Sequence, residues 1–365
     1  MEKCEYCGVP SLIGRQHRWE PNGVISLASS PHNRMVFFEC EIIDEVFRGI
    51  ERLLGMPIEH IVIESRARET KRYIERIYPP EIWKVSEGNG QEDGGGKDGL
   101  RETIRNIGQN IIDIGHVYGY GHTRRSDLWD RGDPYPWRVQ IVRKPYSIFF
   151  AAADNLGSIE VMEGIDMWVR YEEIQRDTYR IEVYPGEHPV ELKQRLKRRR
   201  YSFKPGNIDY ERCPECNVPL DVAQRKWDPE NGVITDTDTG RRMALFGPLG
   251  VDAIFDDLEE ELGVVIPDTV IEATRRYIRV AWASEEWRRD AENFRRMIAL
   301  RGLGNLASFE GDRSHLTLTV ENSALHLPMV GAIQALVEMA YRVDRSKVAW
   351  ELAEDGDLTV STWVR

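Results

Sequence analysis

Two Cys-x-x-Cys pairs, Cys4/Cys7 and Cys213/Cys216, stand 209 positions apart, and the sequence around them recurs at nearly the same spacing. Trp19-Glu20-Pro21-Asn22-Gly23-Val24-Ile25 is matched by Trp227-Asp228-Pro229-Glu230-Asn231-Gly232-Val233-Ile234. Phe47, Glu51, Leu54, Gly55 and Val62-Ile63-Glu64 find partners in Phe255, Glu259, Leu262, Gly263 and Val270-Ile271-Glu272. A chain written twice has little freedom: each copy must make the same elements, and each copy's reading checks the other.

The spacing shortens in steps, which locates extra residues in the first copy. Tyr73-Ile74 aligns with Tyr277-Ile278, residues 100–115 with 287–302, and Val142, Glu160 and Tyr171-Glu172 with Val320, Glu338 and Trp350-Glu351. The insertions fall at 86–99, a Gly- and acid-rich run expected to be a flexible loop, and at 122–137. The expected domains are therefore 1–201 and 202–365.

Each copy reads the same way. Val251, Ile254, Phe255, Leu258 and Leu262 form an apolar stripe at helical spacing that Gly263 stops, and Ile43, Val46, Phe47, Ile50, Leu54 and Gly55 repeat it. A second helix runs through Val62 or Val270. A third carries Trp287, Ala291, Phe294 and Ile298, capped by Ser284, with Leu100, Ile104, Ile107 and Ile111 as its twin. Short alternating runs at 306–309 and 316–320 predict strands; a helix at 329–341 and a hairpin of 347–353 with 358–364 follow. The fold class is α+β, with each repeat a helical layer on an antiparallel sheet behind an N-terminal cysteine knuckle.

Composition narrows the function classes. With 365 residues, 41% hydrophobic and 30% charged, the chain is globular rather than disordered. Its 49 basic and 61 acidic residues leave a net charge of −12, which argues against nucleic acid and anionic membranes as partners. The basic run from Lys193 to Arg200 reads as an exposed helix end before a linker. The longest stretch without a charge, 322–337, holds Asn322, His326, Pro328 and Gln334 and does not suit a membrane span. No apolar signal core follows Met1, so the expected compartment is the cytoplasm.

In that setting cysteines serve metal or redox chemistry better than disulfides. Cys-Glu-Tyr-Cys-Gly-Val-Pro and Cys-Pro-Glu-Cys-Asn-Val-Pro look like zinc knuckles, each supplying two of the four thiolates a closed site needs. Each knuckle could recruit local ligands, yet His17 of the first copy faces Arg225 or Lys226 in the second, and no other Cys or His recurs nearby. One shared site of Cys4, Cys7, Cys213 and Cys216 holding Zn2+ is the favoured reading, ahead of rubredoxin-like iron in the same ligand set and of a redox-active pair. Cys40 has no twin, Pro248 standing in its place, and reads as apolar filler.

The order of features resembles the 4-vinyl-reductase (hydrocarbon-binding) domain family, related in fold to haem nitric-oxide-binding domains and TRAPP vesicle-tethering adaptors. The resemblance lies in the acidic helix ending at Gly263, the Gly302-Leu303-Gly304 break, Val320-Glu321-Asn322-Ser323 before Val330-Gly331, and the hairpin Trp350-Glu351 to Val360. It covers about 245–363 and, more diffusely, 37–183. Family members often carry cysteines in the last hairpin, where this chain has Leu352, Ala353 and Leu358. The resemblance implies a pocket for a small hydrophobic ligand, aromatic or acyl, used in sensing or carrying rather than catalysis.

Glu64, His116, Tyr120, His122, Trp137, Phe149 and Glu272 are the candidate pocket residues. Glu64 and Glu272 each have an arginine four residues on, Arg68 or Arg276, and so also fit exposed helical ion pairs. The polar cluster His116, Tyr118, Tyr120 and His122 lies where the second copy is shorter, and makes an enzyme with that segment as its site the first alternative. Trp137 and Phe149 fit a pocket cover, although aromatics near Pro134 and Pro136 more often simply pack a loop down. A structural adaptor whose pockets are vestigial is the third reading, and beside the small ligand the partners considered are a second copy of the chain, as a homodimer, or another protein.

Overall fold

The computed structural model describes residues 2–78, 95–187, 202–282, 291–312 and 314–364. The first elements are α1 (Ser11–Gln16), β1 (His17–Trp19), β2 (Ile25–Leu27), β3 (Ser30–Glu39), α2 (Cys40–Leu54), α3 (Glu59–Ile77) and α4 (Gly95–Val117). Next come β4 (His122–Arg125), β5 (Val139–Arg143), α5 (Ile148–Glu163), β6 (Met167–Gln175) and β7 (Thr178–Pro185). After the second knuckle follow α6 (Leu220–Ala223), β8 (Lys226–Asp228), β9 (Val233–Thr235), β10 (Arg242–Phe246), α7 (Leu249–Leu262) and α8 (Ile266–Ala281). The chain closes with α9 (Ala291–Leu300), β11 (Asn305–Gly311), β12 (His315–Glu321), α10 (His326–Tyr341), β13 (Lys347–Leu352) and β14 (Leu358–Trp363). This is an α+β architecture.

Two compact units are present: Met1–Ile58 with Lys197–Trp227 and Thr235–Arg365, and Glu59–Leu196 with Asp228–Ile234. Neither unit is one sequence half. The first gathers both knuckles, the short helices α1 and α6 behind them and most of the second half; the other is built mainly on α3, α4, α5 and β4 to β7.

In the second of these units an antiparallel sheet of order β4-β5-β7-β6 carries α5, and α3 packs on α5. Helix α5 begins where the Ser147 hydroxyl accepts the Phe150 N–H at 3.1 Å, and ends at Gly164 in the left-handed region. The two helices touch backbone to backbone: a Cβ on Gly157 would lie 2.3 Å from the Ala67 carbonyl oxygen. Glu160, almost fully buried on α5, accepts the Met167 N–H at 3.0 Å, tying the helix to the strand that follows, and takes Lys71 at 3.5 Å as counter-charge. Deeper in, Arg66 reaches Asp154 at 2.9 Å, and Tyr146 and Thr70 donate hydroxyls to the same carboxylate at 2.7 Å.

The other unit repeats these devices. Its sheet of order β11-β12-β14-β13 carries α10, and α8 crosses it so closely that a Cβ on Gly331 would lie 2.5 Å from the Ile271 oxygen. Glu338, fully buried, accepts the Ser346 N–H at 2.8 Å and pairs with Arg275 at 2.7 Å and Arg279 at 2.9 Å. Helix α2 lies on α8 through Gly49 and Ala273, and a further antiparallel sheet contains β1-β2-β3-β10, with β3 and β10 pairing Phe38 to Ala244.

Most element positions follow the periodicity of the sequence, including the hairpin whose turn Gly356 makes at φ +90. Two expectations change. Residues 95–99, read as flexible loop, open helix α4, while the rest of that insertion, the Ser284 cap, Trp287 and the 193–200 basic run lie outside the described residues. The insertion at 122–137 begins with strand β4, paired to β5 from His122 with Arg143 to Arg125 with Gln140.

Candidate metal centre

Each Cys-x-x-Cys segment closes a tight turn for a local reason. The Cys4 N–H bonds the Val9 oxygen at 2.9 Å and the Gly8 N–H bonds the Cys4 oxygen at 2.9 Å. Cys213 with Val218 at 2.9 Å, and Asn217 with Cys213 at 3.0 Å, make the same pair of bonds. The closing residue must enter the left-handed region, where glycine and asparagine are the cheapest choices; Gly8 sits at φ +75 and Asn217 at φ +62. Behind the turns, Val9 and Ile13 in one segment and Val218 and Val222 in the other are buried and anchor each loop to the unit.

The two turns bring their four sulfurs together. Cys4 Sγ lies 3.6 Å from Cys213 Sγ, Cys7 Sγ lies 3.4 Å from Cys216 Sγ, and all four sulfurs fall within 4.8 Å of one another. A tetrahedral thiolate site with metal–sulfur bonds of about 2.3 Å has sulfur–sulfur edges of about 3.8 Å. The donor set and its spacing therefore fit one four-coordinate cation. Close approach is possible because position 14 is glycine: a Cβ there would come within 2.8 Å of the Cys216 Cβ.

Electrostatics inside the cluster is uneven. Burial raises the thiols of Cys7 and Cys216. Burial acts the same way on Cys213, but the backbone N–H groups of Cys216 and Glu215 outweigh it and bring that thiol down to about 7. Such amide donors stabilise a thiolate, which is the form that ligates metal. Glu215 adds a second contact, accepting from the Cys4 thiol at 3.1 Å and from the Tyr6 N–H at 3.0 Å.

His17, the one local alternative ligand, is not among the metal-competent group. It is buried, its Nδ1 lies 3.3 Å from the Ile13 oxygen, and burial lowers it to about 4. Cys40 is buried at the start of α2, where burial raises its thiol, as expected of an apolar filler. Gly14 and Glu215 were not legible beforehand. The signal for Gly14 was a glycine where the second copy has Ala223; nothing in the sequence pointed to Glu215.

Six of the candidate pocket residues belong to the second unit and Glu272 to the first. His116 and His122 stack with ring centroids 5.3 Å apart, and His116 Nε2 accepts the Thr123 N–H at 3.0 Å. Both imidazoles are held low, each first by burial, then His116 by His122 and His122 by Arg143 and Arg124. Tyr120 stacks on Tyr146 at 4.1 Å, Trp137 donates to Glu163 at 2.9 Å, and Phe149 is buried in α5. Glu64 is buried on α3 and so is not the exposed pair member its spacing allowed. Glu272 does form that pair, with Arg276 at 2.6 Å and Arg275 at 2.8 Å, and these partners, with Arg275 foremost, lower it to about 2.

An apolar cavity of about 30 Å³ lies elsewhere, in the unit that carries the knuckles. Phe38, Trp282, Phe294, Leu303, Pro328 and Ala332 are among its lining residues, and none of the seven candidate residues is.

No family model matches the chain, and neither a curated protein nor a solved structure is significantly similar to it. No described helix is long and apolar enough to cross a membrane.

Proposed function

We propose that the protein is a duplicated α+β module, stapled by one zinc ion, that binds a small hydrophobic molecule in a sensing or carrier role. The observation that carries the metal part is the convergence of four sulfurs from two segments 209 positions apart. Cys4, Cys7, Cys213 and Cys216 would hold the ion. A closed thiolate set leaves no position for substrate, so the metal's contribution is structural, coupling binding to folding.

Paired details support the duplication. Helix, helix, two strands, helix, two strands is the order both in α3 to β7 and in α8 to β14. Gly304 donates to the Gly23 oxygen at 3.2 Å, as Gly121 does to Gly232 at 2.8 Å, and Glu160 and Glu338 share one role. These bonds make Gly121 the counterpart of Gly304, so the alignment of 100–115 with 287–302 is one helical turn out at this break, a slip that helical periodicity tolerates. The resemblance to the 4-vinyl-reductase domain family is part of the proposal and rests on the same element order.

The ligand reading draws on the cavity. Where the second copy has Leu303, Pro328 and Ala332 around it, the first has Tyr120, Phe150 and Asp154, engaged with Tyr146 and Arg66. On this reading the second copy keeps the binding site and the first has filled it. Apart from Arg301 and the Trp282 indole the lining side chains are apolar, which favours a hydrophobic guest over water. The enzyme alternative has less behind it, since His116 Nε2 is already committed to Thr123.

Elemental analysis tests the metal: about one zinc per chain is expected, and two or none defeats the shared site. Native mass spectrometry of protein purified from cells tests the ligand. A bound hydrophobic molecule that Ala332→Leu removes supports the reading; absence of any such molecule, with no thermal shift from aromatic or acyl compounds, defeats it.

A further inference from the structure

Three guanidinium groups surround one indole on the face formed by α4, β4 and the 126–138 segment. The Arg101, Arg105 and Arg125 carbons lie 5.7, 5.7 and 5.6 Å from the Trp129 ring centroid. We propose that Arg101, Arg105, Arg125 and Trp129 form a binding site for the phosphoryl group of a small phosphorylated molecule.

The first reason is missing charge compensation. Acids outnumber bases 61 to 49 in this chain, and neighbouring arginines find them: Arg66 pairs with Asp154, Arg131 with Asp127, Arg138 with Glu163 and Arg180 with Glu182. Among the described residues, Arg101, Arg105 and Arg125 pair with no carboxylate. Like charges so placed repel, and Arg125 is lowered first by burial and then by Arg105. Asp113, the nearby acid that opposes this, is engaged by the Gln109 amide at 2.8 Å.

The second reason is preorganisation. Arg101 donates to the Asp133 oxygen at 3.2 Å and the Trp129 oxygen at 3.0 Å. Arg125 donates to the Arg105 oxygen at 3.1 Å and to Gln109 Oε1 at 2.8 Å. These bonds use part of each five-donor fork, so the heads are held while N–H groups remain for a ligand. Stacking on Trp129 fixes them further. Tolerating three such cations together costs stability, and a bound anion removes that cost.

The chemistry selects the ligand class. Guanidinium forks match phosphate oxygens in pairs, and a dianionic phosphoryl group neutralises three cations better than one carboxylate does. The overall charge of −12 disfavours a long polyanion and leaves a small molecule. Arg125 and Trp129 sit in the 122–137 insertion that the second half of the chain lacks, so the complete cluster belongs to the first half alone.

Pyrophosphate and inorganic phosphate, titrated into the full chain at constant ionic strength with chloride as reference, give the test. Calorimetry should show saturable pyrophosphate binding, accompanied by a change in tryptophan emission that Trp129→Phe abolishes. Arg105→Gln should weaken it about tenfold or more; the Arg105 side chain is exposed, and the residue's hydrogen bond with Arg125 is through its backbone oxygen, which the variant retains, so it should keep its fold. Arg48→Gln, in the other unit, should leave the affinity unchanged. Absence of saturable binding, equal loss in Arg48→Gln, no loss in Arg105→Gln, or tighter binding of a single-stranded oligonucleotide than of pyrophosphate overturns the proposal. Inorganic phosphate binding as tightly as pyrophosphate identifies the free ion as a sufficient ligand; weaker binding points to a larger phosphorylated molecule.

Discussion

The sulfur of Cys4 lies 3.6 Å from that of Cys213, a residue 209 positions away, while the backbone of each is fixed by its own five-residue-scale turn. Two independently built turns thus meet at one point. Removing the metal with a strong chelator should lower the thermal midpoint, and Cys213→Ser should both abolish metal binding and cost several kcal/mol, on the order of other structural metal sites. Elemental analysis with a thermal melt of the two proteins checks this, and a metal-free variant as stable as the parent contradicts it.

Gly23 has φ +75, and a Cβ on it would lie 2.1 Å from the Gly304 oxygen. Gly55 has φ +72 but open space around it. Gly55→Ala should therefore cost only backbone strain, about 1 kcal/mol, and Gly23→Ala distinctly more, about 3 kcal/mol or above, because the clash adds to the strain. Urea denaturation of both variants measures the difference; equal losses would show that the hairpin tip moves away without penalty.

Glu338 is fully buried and serves Arg275, Arg279 and Ser346 at once. Glu338→Ala takes one of its two carboxylates from the buried Arg275 guanidinium, which keeps Glu272, and strips the Ser346 N–H of its acceptor, and about 3 kcal/mol of stability should go. Arg48→Ala, which breaks an exposed pair with Glu45, should change stability by less than about 1 kcal/mol. Denaturation midpoints with unchanged slopes give the comparison.

His17 is buried as the neutral imidazole, with burial lowering it to about 4 from an ordinary value of 6.5. A group depressed in the folded state binds its proton more readily when unfolded, so its contribution is complete above pH 6.5 and is lost as pH falls towards 4. The loss should reach at most about 3 kcal/mol. Stability measured from pH 7 to 4 should fall less steeply in His17→Leu than in the parent, and parallel slopes would remove His17 from the account.

Local rules carried much of this structure. The stripe Val251, Ile254, Phe255 and Leu258 marked helix α7, alternation marked β12 and β14, and glycine marked the stop after α2, because helical and strand periodicities are imposed by each segment's own burial. The four-cysteine set was also readable, since a knuckle presents only two ligands and the chain contains two knuckles.

Only the tertiary structure decided the rest. Glu64 and Glu272 look alike in sequence, yet the first is buried and the second stays half-buried beside Arg276, because burial depends on what packs over a helix rather than on the helix itself. Arg101 and Arg105 share one face of α4 by their four-residue spacing, but Arg125 on β4 and Trp129 beyond it belong to other elements, and no spacing rule brings those to the same place. Glu215 became part of the cysteine cluster only when the second knuckle met the first. Sequence determines what each segment can become, and the long-range contacts determine which of its side chains end up facing one another.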